Sequence, residues 1–167
     1  MNKPGEVQII RVDPFDFALG GLLFPFVLKR IVDFSQVHYA GFNPLAQARE
    51  LAAAACAGSP DLLLLAFVAP DGRLIGHAVC TMQTTYGSRW MFVLQSKVDE
   101  AAGDVIQRAT DLGREWGKSR GAEILVFETK RSDSAWAKAY GFKVLRHLMY
   151  MPINGEPAVV EQGSVSA

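Results

Sequence analysis

The segment Leu62-Leu63-Leu64-Leu65-Ala66-Phe67-Val68-Ala69-Pro70-Asp71-Gly72-Arg73-Leu74-Ile75-Gly76-His77-Ala78 decides the architecture. Its first eight residues, Leu62 to Ala69, are apolar without a break, the pattern of a strand covered on both faces. Pro70-Asp71-Gly72-Arg73 is tight-turn chemistry, because proline presets one dihedral and glycine accepts the left-handed one. Leu74 to Gln83 is then the returning strand of a hairpin. Thr84 to Arg89, with Gly87-Ser88, forms a second turn, and Trp90 to Val98 a third strand.

Working towards the C-terminus, Asp104 to Ser119 has the spacing of a helix. Val105, Ala109, Leu112 and Trp116 recur at i, i+4, i+7 and i+11, which makes one apolar stripe, and Gly121 marks its end. Glu123 to Thr129 is a strand with an apolar centre. A helix between it and Trp90–Val98 permits a parallel pair, which requires a right-handed crossover. Ser132-Asp133-Ser134 caps a short helix through Tyr140, Gly141 stops it, and Phe142 to Met151 is the last strand.

Towards the N-terminus, Val7 to Val12 is a short strand ended by Asp13-Pro14. Phe24 to Gln36 fits a helix with Pro25 in its first turn, where a missing N–H costs nothing. Asn43 is a good N-cap and Pro44 a good first residue for an Ala-rich helix over Leu45 to Ala57, stopped by Gly58-Ser59-Pro60. These elements make one domain over residues 1–152. Residues 153–167 are small, polar and Gly/Pro-punctuated, and read as a flexible or partner-docked tail.

The bulk properties agree with an ordinary globular domain. The chain has 167 residues, half of them hydrophobic, enough to bury a core without staples. Seventeen basic residues balance seventeen acidic ones, so nothing selects nucleic acid or an anionic membrane. Cys56 and Cys80 lack metal-type or redox-type spacing and read as reduced core thiols, which points to the cytoplasm. The longest apolar run near the start, Phe17 to Leu28, is interrupted by Gly20, Gly21 and Pro25 and is too short to span a membrane.

From Leu62 to Pro152 the element order resembles the acetyl-CoA-dependent N-acyltransferases of the GNAT superfamily. The Pro-Asp-Gly-Arg turn before Leu74-Ile75-Gly76 is similar to that family's hairpin. Trp136 to Phe142 resembles its closing helix and Gly-Phe turn. The resemblance implies a mixed, mostly antiparallel α/β sheet of six to seven strands flanked by about four helices. General style also resembles small acetyltransferase-like proteins of tailed bacteriophages, which implies a host-cytoplasmic or virion-associated protein.

The resemblance also implies three site requirements. The first is a cradle for the CoA pyrophosphate at the start of the central helix, where unpaired N–H groups and the helix dipole favour anions. The family pattern there is Q/R-x-x-G-x-G/A. This chain has Val98-Asp99-Glu100-Ala101-Ala102-Gly103-Asp104, with one glycine and three acids. Val98, Gly103 and Asp104 would be the cofactor-binding positions of this altered loop. Asp104 with Gln107 reads as a capping box that satisfies the helix by itself. The second requirement is an acid for the leaving thiolate, usually a tyrosine four residues before the Gly of Gly-Phe; that position is Ala137. The third is a base for the amine. Gln95, central in its strand, is not one; Asp99 and Glu128, at strand ends, are the candidates. His77 reads as a hydrogen-bonded sheet histidine.

These departures imply a GNAT-fold protein with a degenerate acetyl-CoA site, catalytically weak or inactive and serving as a binding or structural module. The alternative is an active N-acyltransferase moving acetyl from acetyl-CoA to an amine. No metal site is expected. A protein partner or a second copy would bind through the Phe-rich segment Phe15 to Phe34 or through the tail.

Overall fold

A computed structural model describes residues 6–38, 43–99 and 104–127 of the chain. The elements are β1 (Gln8–Arg11), α1 (Leu19–His38), α2 (Pro44–Cys56), β2 (Leu62–Val68), β3 (Leu74–Thr85), β4 (Ser88–Val98), α3 (Val105–Ser119) and β5 (Ile124–Phe127). The strands form one sheet in the order β1-β2-β3-β4-β5. Neighbours are antiparallel except β4 and β5, which are parallel and joined through α3. The mixed, mostly antiparallel α/β class expected from the sequence is the one observed. Five strands and three helices stand among the described residues; the expected helix ending at Tyr140, the strand Phe142–Met151 and the tail 153–167 lie outside them.

The hairpin that decides the fold closes as its chemistry requires. Gly72 N–H donates to Ala69 O at 2.9 Å, and Ala69 N–H to Arg73 O at 2.8 Å. The next turn is tighter than expected. Only Tyr86 and Gly87 separate β3 from β4, with φ of 52° and 82°. Two consecutive positive φ values give the turn the twist of the flanking strands, so both strands run on to meet it.

Every residue of β2 is buried, because this strand is covered on both sides. Leu63, Leu65 and Phe67 face the α3 side, with Cys80, Met91, Val105 and Trp116. Leu62, Leu64, Ala66 and Val68 face the α1–α2 side, with Val27, Ile31 and Leu51. Cys80 is buried as expected. Cys56, the last residue of α2, is exposed, which corrects its reading as a core thiol.

Helix α2 follows its signals. Ala46 N–H donates to Asn43 Oδ1 at 3.0 Å, Pro44 is the first residue, and Ala57 ends the helix. Helix α1 starts earlier than expected, at Leu19, so Pro25 lies inside it and not in its first turn. The two glycines that interrupt the apolar run Phe17 to Leu28 are required by packing. A Cβ on Gly20 would stand 2.6 Å from Arg11 O, and one on Gly21 would overlap the Asp16 carbonyl. Among the described residues, no helix is long and apolar enough to cross a membrane, and no cluster of three metal-ligating side chains forms.

Candidate functional site

The site is set by a one-residue irregularity in β4. Val79 pairs with Gln95 but the next residue, Cys80, pairs with Val93, so Leu94 is an extra residue with no place in the β3 ladder. Up to that point the strand alternates. Met91 and Val93 pack on the α3 side, and strict alternation would send Gln95 after them. The bulge resets the phase. Leu94 packs with the α1–α2 core, Gln95 hydrogen-bonds residues of that same side, and Ser96 lines the α3 side again. Among the described residues, the parallel ladder with β5 runs from Trp90 opposite Ile124 to Val93 opposite Phe127.

Gln95 is buried and ties three elements together. Its Nε2 donates to Gln47 Oε1 of α2 at 3.0 Å, which leaves its Oε1 to accept from His77 Nε2 of β3 at 3.1 Å. His77 is therefore held as the Nε2–H tautomer. The ring is fully buried and meets Phe34 of α1 edge-on at 6.0 Å. Burial pulls its pKa down to about 4 against the hydrogen bond it donates to Gln95, so the ring is neutral at physiological pH. Its Nδ1 has no hydrogen-bond partner.

A charged cluster lies on the same strands. Arg30 of α1 donates to Asp99 Oδ2 at 2.6 Å and reaches Leu74 O at 3.4 Å; Lys97 stands 3.7 Å from Asp99 Oδ1 and 5.9 Å from the Phe34 ring centroid. Asp99, a base candidate, thus has a cation on each oxygen. Its own N–H continues the sheet to Ile75 O at 2.9 Å. Val98 pairs with Gly76, where an added Cβ would meet Lys97 O at 2.5 Å; this close strand approach is what the glycine after Leu74-Ile75 permits. Glu128, the second base candidate, and the positions Gly103 and Ala137 lie outside the described residues.

The expected capping box at the start of α3 is not formed. Asp104 precedes the helix with φ −90° and ψ 6°, away from the extended conformation of a side-chain cap, and its carboxylate makes no bond to the helix backbone. Arg108, one turn on, pairs with it at 3.2 Å, and Gln107 turns the other way to donate to Asp111 Oδ1 at 3.0 Å. Arg108 also pairs with Glu6 at 2.9 Å and donates to Val7 O at 2.7 Å, which ties α3 to the start of the chain. The self-satisfied helix is thereby corrected. Two of the three acids counted against a polyanion, Asp99 and Asp104, carry cations of their own.

On the opposite side of the sheet, a cavity of about 60 Å³ lies between α3 and the strands, lined by Cys80, Met91, Val93, Ile106, Leu125 and Phe127 among others. Burial pushes the Cys80 thiol up to about 12, so it is no nucleophile. Sequence reasoning missed the role of Gln47 and the bulge. The apolar run Trp90 to Leu94 hides a phase change, because every residue in it suits either face.

No protein-family model and no curated sequence matches the chain. Solved structures do. A putative acetyl transferase from Pyrococcus furiosus superposes with TM-score 0.63 at 17% identity, covering 89% of this chain and 100% of the other. The aminoglycoside N-acetyltransferase AAC(6')-Iy, solved in complex with CoA, gives 0.63 at 15% identity over 91% and 97% of the two chains. Glucosamine-6-phosphate N-acetyltransferase from Arabidopsis thaliana gives 0.62 at 10% identity over 89% and 99%. The chain has the GNAT fold, at identities that speak for the fold alone.

Proposed function

We infer that this protein binds an acyl-CoA and acylates an amine slowly, through positioning more than through acid–base chemistry. The observation that carries the reading is the interrupted β4. Its bulge turns Gln95 to the side where His77 and Gln47 stand, in a fold shared over nine-tenths of the chain with acetyltransferases, one of them solved with CoA. The start of α3 fits the donor's phosphates in one respect: Asp104 leaves the first-turn N–H groups of Val105, Ile106 and Gln107 uncapped by its side chain. A CoA thioester supplies an acyl carbon that an unprotonated amine attacks, giving an amide and a free thiol.

What the described residues contribute argues for a slow reaction. Gln95, at the centre of β4, cannot take a proton. His77 is neutral, but it is buried and already donates to Gln95. Asp99 would have to leave Arg30 and Lys97 to act as a base. Holding the two reactants together is the contribution that remains, and proximity alone is a substantial one.

Acetyl-CoA titration followed by thermal shift tests this. At 100 times its dissociation constant, the donor adds about 2.7 kcal/mol, roughly 5–10 °C in melting temperature for a domain of this size. A shift reversed by competing CoA, with slow release of free thiol when a panel of amines is added, is the expected result. No shift at millimolar donor overturns the reading. A shift with no thiol release for any amine replaces it with a binding module that does not catalyse.

A further inference from the structure

We propose that the exposed face of α1 joins two copies of this chain. Leu19, Leu22 and Phe26 repeat at i, i+3 and i+7, the sevenfold seam that a helix presents to another helix. The buried face of the same helix, Leu23, Val27 and Ile31, is already spent on the sheet. The loop entering α1 adds Phe15 and Phe17. Phe15, Phe17, Leu19, Leu22 and Phe26 are 59, 101, 45, 67 and 60% exposed. At about 200 Å² for a large apolar residue they present on the order of 600 Å². That lies at the upper end of the patches monomers tolerate, roughly 300–600 Å². It approaches the ~800 Å² each partner contributes to a standard interface.

The pattern favours a second copy over other occupants. The seam is apolar only from Leu19 to Phe26; it continues into Lys29 and Asp33, which pair with each other at 2.6 Å. A parallel partner in register would set Lys29 against Lys29 and Asp33 against Asp33, and one shifted along the helix would set leucines against those charges. An antiparallel twofold passing between Leu19 and Leu22 sets each of these leucines against the other's mate and carries each Phe26 to the partner's Phe15–Phe17 loop. The contact is isologous and closes on itself. Lys29 and Asp33 cancel, so the face has no net charge to recruit an anionic surface.

Sedimentation of the full chain tests the pairing. The wild type is expected at twice the chain mass, and Leu22→Arg, which sets two cations beside the twofold, at the chain mass with an unchanged melting profile. Register is tested in a Cys56→Ser background by mixing Leu19→Cys with Leu22→Cys chains under mild oxidation. These should crosslink to each other faster than either does to Glu50→Cys, an exposed position on α2. A wild type that stays monomeric at its highest soluble concentration overturns the proposal, as does a dimer that survives Leu22→Arg. Two further outcomes overturn it by naming another occupant: dimers that appear only when residues 153–167 are removed, or a monomer that co-sediments with neutral phosphatidylcholine vesicles through this face.

Discussion

On the α1–α2 side, beside an apolar core that includes Val27, Ile31 and Leu64, the sheet holds a chain of polar side chains: buried His77 and Gln95 and half-buried Gln47, joined by two hydrogen bonds. On the α3 side it buries Leu63, Leu65, Phe67, Met91 and Trp116, and leaves a small apolar cavity. Both sides are covered by helices and use the same strands. They differ in what a wrong side chain would disturb. The polar side depends on direction, because one displaced amide leaves a buried donor or acceptor unpaired. The apolar side depends on volume, because its groups have no directional demands and respond to gaps and overlaps.

The largest expected effect breaks the apolar side. Phe67 is fully buried against α3-side residues, and Phe67→Ala should cost about 3–5 kcal/mol in urea unfolding at any pH near neutrality. A loss under ~1 kcal/mol would mean that this side repacks freely.

The next separates the two sides by pH. His77 has a pKa of about 4 folded, against 6.5 in the open chain. Between those values the unfolded chain binds the extra proton, so stability is complete above about pH 6.5 and falls as the pH drops towards 4. The loss is about 2 kcal/mol at pH 5. His77→Gln removes that term, and the measurement is the difference in urea midpoints between about pH 7.5 and pH 5 for both proteins. Equal slopes would show that the ring charges readily in the folded state. Phe67→Ala should leave the slope as it is.

The smallest effect sharpens the volume rule within α3. A Cβ at Gly113 would meet Met91 Cε at an ordinary 3.5 Å, whereas one at Gly117 would stand 3.0 Å from Met91 Sδ and 3.3 Å from Ala122 Cβ. Gly113→Ala should therefore stabilise by about 0.5–1 kcal/mol through helix propensity, while Gly117→Ala gains nothing or loses. Thermal melts that rank the two in the reverse order would place the tight side of the cavity elsewhere.

Much of this frame was legible in the residues. The unbroken run Leu62 to Ala69 could only be an inner strand, Asn43-Pro44 fixed the start of α2, and the stripe from Val105 to Trp116 fixed the face of α3. Boundaries failed where packing overrode local preference. The helix was expected from Phe24, yet Gly20 and Gly21 are the residues thin enough for α1 to begin earlier, against Asp13–Asp16. Asp104 and Gln107 had the spacing of a capping box, but an arginine one turn away took the carboxylate. The site was less legible than the fold. Spacing marks Asp99 as a carboxylate at a strand end but says nothing of Arg30, sixty-nine residues earlier, which pairs with it. The likeness to phage-borne proteins rested on general style, and none of the structural relatives named above carries it.

The bulge at Leu94 has a bearing on how such a site changes over generations. Substitutions alter one side chain at a time and leave each facing the side it faced before. A one-residue insertion in a strand moves everything after it to the opposite side until a second irregularity restores the phase. Here that shift falls just before Gln95, so a single codon gained or lost in β4 exchanges a dry lining for a hydrogen-bonded one without altering the fold around it. Lineages of this architecture can therefore replace the side chains that line one side of the sheet in one step, by length and not by composition.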